Sequence, residues 1–180
     1  AYVTKKALKV FEKHDVMSHK EVEARTEIRQ EAFIKRVQIE ARVMGDLAMN
    51  HIVPTAIAYQ NKLITNANGL AGLGVDNKAV VQTIREISGH IEIIKNGVRD
   101  MIEARKRANK ITDVRERAIA YCDDIKEKYF ETIRDSVDKL ELLVDETSVG
   151  FVTYWNSQWE PAHPRDSSPL CGTATVLRDL

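Results

Sequence analysis

Seven apolar residues, Val80, Ile84, Ile87, Ile91, Ile94, Val98 and Met101, recur at alternating steps of four and three without a fault. That rhythm keeps one side of an α-helix apolar over three heptads. It suits no strand, whose side chains change face at every residue. A chain built around such a helix must bury a long, narrow seam of the coiled-coil kind against other helices. Asp76 predicts the N-cap of this helix. Arg105, Lys106, Arg107 and Lys110 gather at its other end, where cations meet the negative pole of the helix dipole.

Asn109 to Thr112 has room only to reverse direction. Thr112 is the expected cap of a following helix, whose apolar line reads Ala118, Cys122, Ile125, Tyr129, Ile133, Val137, Leu140 and Val144. These two helices predict an αα-hairpin. Upstream, Thr4 to Lys13 predicts a short helix carrying Ala7, Leu8 and Phe11, and His14 to Met17 breaks it. Ser18-His19-Lys20-Glu21 then reads as a capping box that opens a long helix. Two apolar lines run along it, Ile28, Ala32, Ile39 and Val43 on one and Phe33, Val37, Met44, Ala48 and Ile52 on the other. Together they predict a wide face wedged between neighbours. Pro54 has no N–H for the Asn50 carbonyl and its ring crowds that turn. Because Ile57, Leu63 and Ile64 carry the rhythm onward, a kink is expected there and not a stop. The glycines at 69, 72 and 74 end this helix near Gly69.

The expected fold class is therefore all-α: an antiparallel bundle of three long helices, the first kinked near Pro54, plus a short N-terminal helix and an irregular tail. Residues 1–146 form the helical domain. Over 147–180 the helical period is lost, and this stretch holds both tryptophans and three of the four prolines, so it reads as irregular or disordered.

Composition narrows the function classes. Lys+Arg and Asp+Glu number 27 each, so no net charge favours a polyanion, an anionic membrane or an acidic substrate. No nucleic-acid partner and no membrane partner are expected. The two cysteines, Cys122 and Cys171, have no metal-site spacing and support no disulfide framework. With no targeting signal or spanning segment, a cytoplasmic location is the expectation.

Few residues are spaced for chemistry. A dinuclear metal bundle would need Glu-x-x-His on two helices, and no histidine here has Glu three positions before it. Glu86 and His90 stand four apart with no second copy, which suits a surface or half-buried pair better than a metal site of three or more ligands. His51 precedes Pro54 and reads as structural. Cys122 lies on an apolar line and reads as a buried, inert thiol. Gly69 to Gly74 lacks the Gly-Lys-Ser/Thr of a phosphate loop and the strand of a dinucleotide loop. The basic residues Arg99, Arg105, Lys106, Arg107 and Lys110 are interrupted by Asp100 and Glu103, with no aromatic interleaving for nucleic acid. No catalytic, cofactor-binding or metal-ligating residue is assigned.

Several stretches, in order, carry a family likeness. They include Phe11-Glu12-Lys13-His14, Glu21-Val22-Glu23-Ala24-Arg25, Val37 to Arg42, Asn50-His51-Ile52-Val53-Pro54-Thr55-Ala56, Tyr59-Gln60-Asn61, Met101 to Lys106, Ala120-Tyr121-Cys122-Asp123 and Asp138 to Asp145. Taken together they resemble the region after the catalytic domain in type III glutamine synthetases. The likeness runs through Glu146. From Thr147 the family's Trp-Pro and Pro-Lys-Tyr ending is missing, as a shifted reading frame or an unspliced segment would cause.

The resemblance implies a parent enzyme that joins ammonia to glutamate through a γ-glutamyl phosphate, with ATP and magnesium or manganese held in a β-rich catalytic domain. For the present chain it implies no cofactor and a structural role. The implied partners are that catalytic domain and neighbouring subunits of a homo-oligomer. An independent helical interaction module, with the heptad seam open to a partner helix, is the alternative.

Overall fold

The computed structural model describes residues 4–144, and the tail expected over 147–180 lies outside them. Every regular element among the described residues is helical. Helix α1 spans Lys5–Lys13, with Thr4 Oγ1 accepting from the Ala7 amide at 3.2 Å. Asp15 at φ 51° then turns the chain. Helix α2, His19–Leu47, opens on the expected capping box: Ser18 Oγ accepts from the Glu21 amide, and Glu21 Oε2 accepts from the Ser18 amide at 2.8 Å.

A π turn, π1, spans Ala48–Ile52 and leads without a break into α3, Val53–Gly72. The Val53 amide donates to the Ala48 carbonyl five residues back, so the widest point of the helix comes directly before Pro54. A wider turn relieves the crowding that a proline ring imposes one turn upstream. In place of the kink expected at Pro54 the structure has a π turn, and the helix does not stop there but is continuous over 54 residues from His19 to Gly72. It ends three residues beyond the expected Gly69, in a Schellman motif. Gly74 sits at φ 70°, its amide donates to Ala71 O, and the Val75 amide donates to Leu70 O at 3.0 Å.

Helix α4 spans Lys78–Ala108. Its N-cap is Asn77, one residue past the expected Asp76, which still accepts from the Lys78 amide at 3.0 Å. After the reversal, Asp113 and not Thr112 caps α5, Val114–Tyr121, by accepting from the Glu116 amide at 2.8 Å. A carboxylate one residue later caps as well as a hydroxyl and also opposes the dipole. A second π segment, π2, spans Cys122–Phe130 and continues into α6, Glu131–Leu143. Between Ile125 and Val137 the apolar line advances by three successive steps of four, and wide turns suit that spacing.

The halves of the long first helix pack differently. Helix α2 lies against α5 and π2, whereas α3 lies against α4; α4 in turn packs along π2 and α6. The heptad seam is covered from within: Ile87, Ile94, Val98 and Met101 are buried in one core with Ile125, Ile133, Val137 and Leu140. Gly97 allows α4 and α6 to approach closely, since a Cβ there would stand 3.0 Å from Ile133 Cγ1. Tyr121 is the largest fully buried side chain, and its hydroxyl donates to Asn109 Oδ1 at 2.6 Å, tying α5 to the end of α4. That pairing gives a buried phenol its partner.

One expectation is corrected. The wide face on α2 does not bury both of its lines. Phe33, Val37, Met44, Ala48 and Ile52 are in the core, but Ile28 is 65% exposed, Ile39 62% and Val43 42%, with Ala32 exposed between them. Helix α2 packs mainly on α5 and π2, with further contacts to α4 and α1, and the second line stays exposed.

Candidate functional site

The groups singled out from the sequence do not converge. Glu86 Oε1 accepts from Gln82 Nε2 at 3.0 Å, and no hydrogen bond joins it to His90. His90 is half-buried, with a buried Nδ1 that makes no hydrogen bond. His51 is exposed in π1, and its carbonyl accepts from Thr55 Oγ1 at 2.8 Å. That is an ordinary bond from a helical threonine to the carbonyl one turn back, and it does not serve the Asn50 carbonyl that Pro54 leaves without a donor. Cys122 is buried at the start of π2 and is disulfide-bonded, which corrects its reading as an inert thiol. In the basic cluster, Lys106 Nζ lies 2.7 Å from Glu103 Oε1 and Arg99 Nε 3.5 Å from Asp100 Oδ1. The Lys106 hydrogen bond and charge hold the Glu103 carboxyl below its usual range.

Among the described residues no three His, Cys, Asp or Glu side chains stand together to hold a metal ion. Those residues therefore do not fit a nucleotide–metal complex, which needs converging carboxylates to hold its cation, and no step of ligation is routed through them. No helix among the described residues is long and apolar enough to cross a membrane.

A shallow groove of about 550 Å³ lies between α3 and α4, lined by Ile57, Gln60, Ser88, Ile91, Glu92, Lys95 and Asn96. Gln60 crosses its floor: Nε2 donates to Ser88 Oγ at 2.6 Å and to the Ile84 carbonyl at 3.1 Å. Sequence reading missed this contact. The available signal was an amide residue at a polar break in an apolar helix, facing a serine one turn beyond Ile84. Gln60 and Ser88 thus tie α3 to α4 across the groove.

Elsewhere, half-burial pushes the Glu40 carboxyl above its usual range, opposed by the nearby charges of Lys126 and Arg36. Burial likewise raises the Tyr121 phenol. The Ser18 hydrogen bonds hold Glu21 low, as the capping box requires. Each shift belongs to a structural contact.

Comparison with known proteins supplies what the geometry does not. The family model described as the glutamine synthetase C-terminal domain matches residues 1–71, which covers α1, α2, π1 and nearly all of α3. A glutamine synthetase of Bacteroides fragilis (strain YCH46) is 40% identical over 137 residues, 73% of this chain and 19% of that protein. A type-3 glutamine synthetase of Dictyostelium discoideum is 27% identical over 104 residues, 58% of this chain and 14% of its own length. The chain thus spans less than a fifth of the curated relatives it matches. By this likeness the chain corresponds to the C-terminal region of the glutamine synthetases.

Proposed function

We propose that the chain is the helical C-terminal part of a glutamate–ammonia ligase and that its own role is structural. It packs on the remainder of the synthetase and against neighbouring subunits of a cytoplasmic homo-oligomer. The observation that supports this most directly is the 40% identity over 137 residues to a protein named glutamine synthetase, joined to a family match specific for the C-terminal domain. The ligation of ammonia to glutamate, driven by ATP with magnesium or manganese, belongs in this reading to the part of the parent ahead of residue 1.

The described residues support the division of labour. Phosphoryl transfer needs carboxylates, arginines and metal ions preset around a cleft, whereas Glu21 and Asp113 serve helix caps and Glu103 and Asp138 pair singly with Lys106 and Arg134 on helix surfaces. The alternative of a free-standing interaction module asked for an open heptad seam on α4. Most of that seam is buried by α6 and π2 of the same chain.

The test has two arms. Glutamine formation from glutamate, ammonia and ATP is measured for the 180-residue chain and for the polypeptide read from the gene with its upstream codons. Activity in the longer protein and none in the chain alone is the expected result. Glutamine made by the chain alone, or upstream codons without a synthetase domain, would overturn the reading.

A further inference from the structure

A soluble helix rarely leaves a straight line of large aliphatic side chains in water, because each exposed isoleucine forgoes roughly 1.5–3 kcal/mol of burial. Helix α2 leaves such a line. Ile28, Ala32, Ile39 and Val43 follow one another at steps of four, seven and four, so they share one stripe about 22 Å long. The stripe is not an accident of composition: on the same helix the neighbouring line from Phe33 to Met44 is fully taken into the core. Its borders are also biased in charge. Lys35, Arg36 and Arg42 are all exposed beside Ile39, against two half-buried acids, Glu31 and Glu40, of which Glu40 stands one turn from Arg36.

We propose that this stripe of α2 is the surface on which the rest of the synthetase sits, through an apolar patch edged by carboxylates. The proposal rests on the function proposed above and deepens it by naming the contact. Two observations select this occupant. More than four fifths of the length of the Bacteroides fragilis relative lies outside the matched region, so a large body of protein is available to cover the patch. The stripe also falls within residues 1–71, the portion that carries the C-terminal-domain match, whereas α4 to α6 bury their own seam. A central apolar strip with a charged border is the usual anatomy of a protein contact, with the border steering orientation.

The experiment reads burial directly. Ile39→Cys is introduced into the 180-residue chain and into the longer polypeptide with its upstream codons. The rate of maleimide labelling at the new thiol is compared, with the unsubstituted proteins giving the background. The proposal expects labelling in the longer protein to slow by about tenfold or more relative to the chain alone, the factor that 1.4 kcal/mol of protection produces. Arg36→Glu in the same background should restore part of the labelling by repelling an acidic border, while leaving the rate in the chain alone unchanged.

Equal rates in two folded proteins, the longer one making glutamine, would overturn this inference and leave the proposed function standing. Labelling of the chain alone that slows as its concentration rises would make a second copy the occupant, and would also overturn it. A longer protein that makes no glutamine would count against the parent reading itself.

Discussion

Two lines of apolar side chains run beside each other along α2 and meet opposite fates. Phe33, Val37 and Met44 are buried, with Val37 and Met44 at 1% exposure, while Ile28 and Ile39 stand more than half exposed. Both lines have helical spacing and similar residue types. The difference lies in what stands opposite: α5, π2 and α4, whose Val98 and Met101 lie against Gly45, pack on α2, while the second line stays exposed. Periodicity therefore identifies a helix and its candidate faces, and a neighbour is needed to turn a face into core.

The sharpest way to break this comparison is a matched pair of truncations. Met44→Ala should destabilise the chain by about 2–5 kcal/mol, through lost burial plus the cavity left behind. Ile39→Ala in the same chain should stay within about 0.5 kcal/mol. Urea unfolding followed by circular dichroism measures both, and a large loss for Ile39→Ala would show that its line is supported from within.

Enlargement probes the same contrast at a smaller scale. A Cβ on Gly45 would lie 3.4 Å from Val98 Cγ1, so alanine fits there but a longer side chain does not. Gly45→Leu should cost about 1–3 kcal/mol by overpacking. Ala32→Leu, on the exposed line, should be neutral within about 0.5 kcal/mol. Ser18→Ala acts on both lines together by removing the shared cap, and a loss of about 1 kcal/mol is expected in the same unfolding assay.

The smallest effect concerns Glu40, half-buried on the flank of α2. Its carboxyl is raised above 4.5 by burial, so the folded chain holds this proton more tightly than the unfolded chain. Its contribution to stability is fully present below pH 4.5 and is lost as pH rises through the raised folded value. Melting temperatures of the parent chain and of Glu40→Gln, compared from pH 4 to pH 7, should diverge slightly in favour of the variant across that window and then run parallel. A divergence of the opposite sign would mean that Lys126 and Arg36 outweigh the burial.

Much of the architecture was legible because it is local. Ser18 and Glu21 announce a helix start by chemistry confined to four residues, and the capping bonds form as expected. The glycines after Asn68 announce a stop, although the strain-free left-handed position fell to Gly74, so the helix ran three residues longer. The seam on α4 was legible as a buried face because its rhythm has no competing line. Caps slipped by a residue where two adjacent side chains could both serve, as with Asp76 and Asn77 or Thr112 and Asp113.

The π segments were not legible. Pro54 marked the place of the first, but whether a helix answers a proline with a bend, a break or a wide turn depends on what packs around it. Nothing in Cys122 to Phe130 marks the second beyond steps of four. The Gln60 to Ser88 bond joins residues 28 apart, and the Tyr121 to Asn109 bond crosses an interhelical turn, so neither belongs to a local pattern.

By itself the sequence determined that this chain is helical, where its helices start, that α4 must be buried along one seam, and that its likeness is to the C-terminal region of the glutamine synthetases. Those properties follow from short-range periodicity, from cap chemistry and from residue identities in order. Only the tertiary structure decided which of the two lines on α2 becomes core, and that Pro54 is met by a π turn. The physical reason is the same in both cases: burial and the room for a widened backbone are set by the surfaces that face a helix, and those surfaces come from residues distant in the chain.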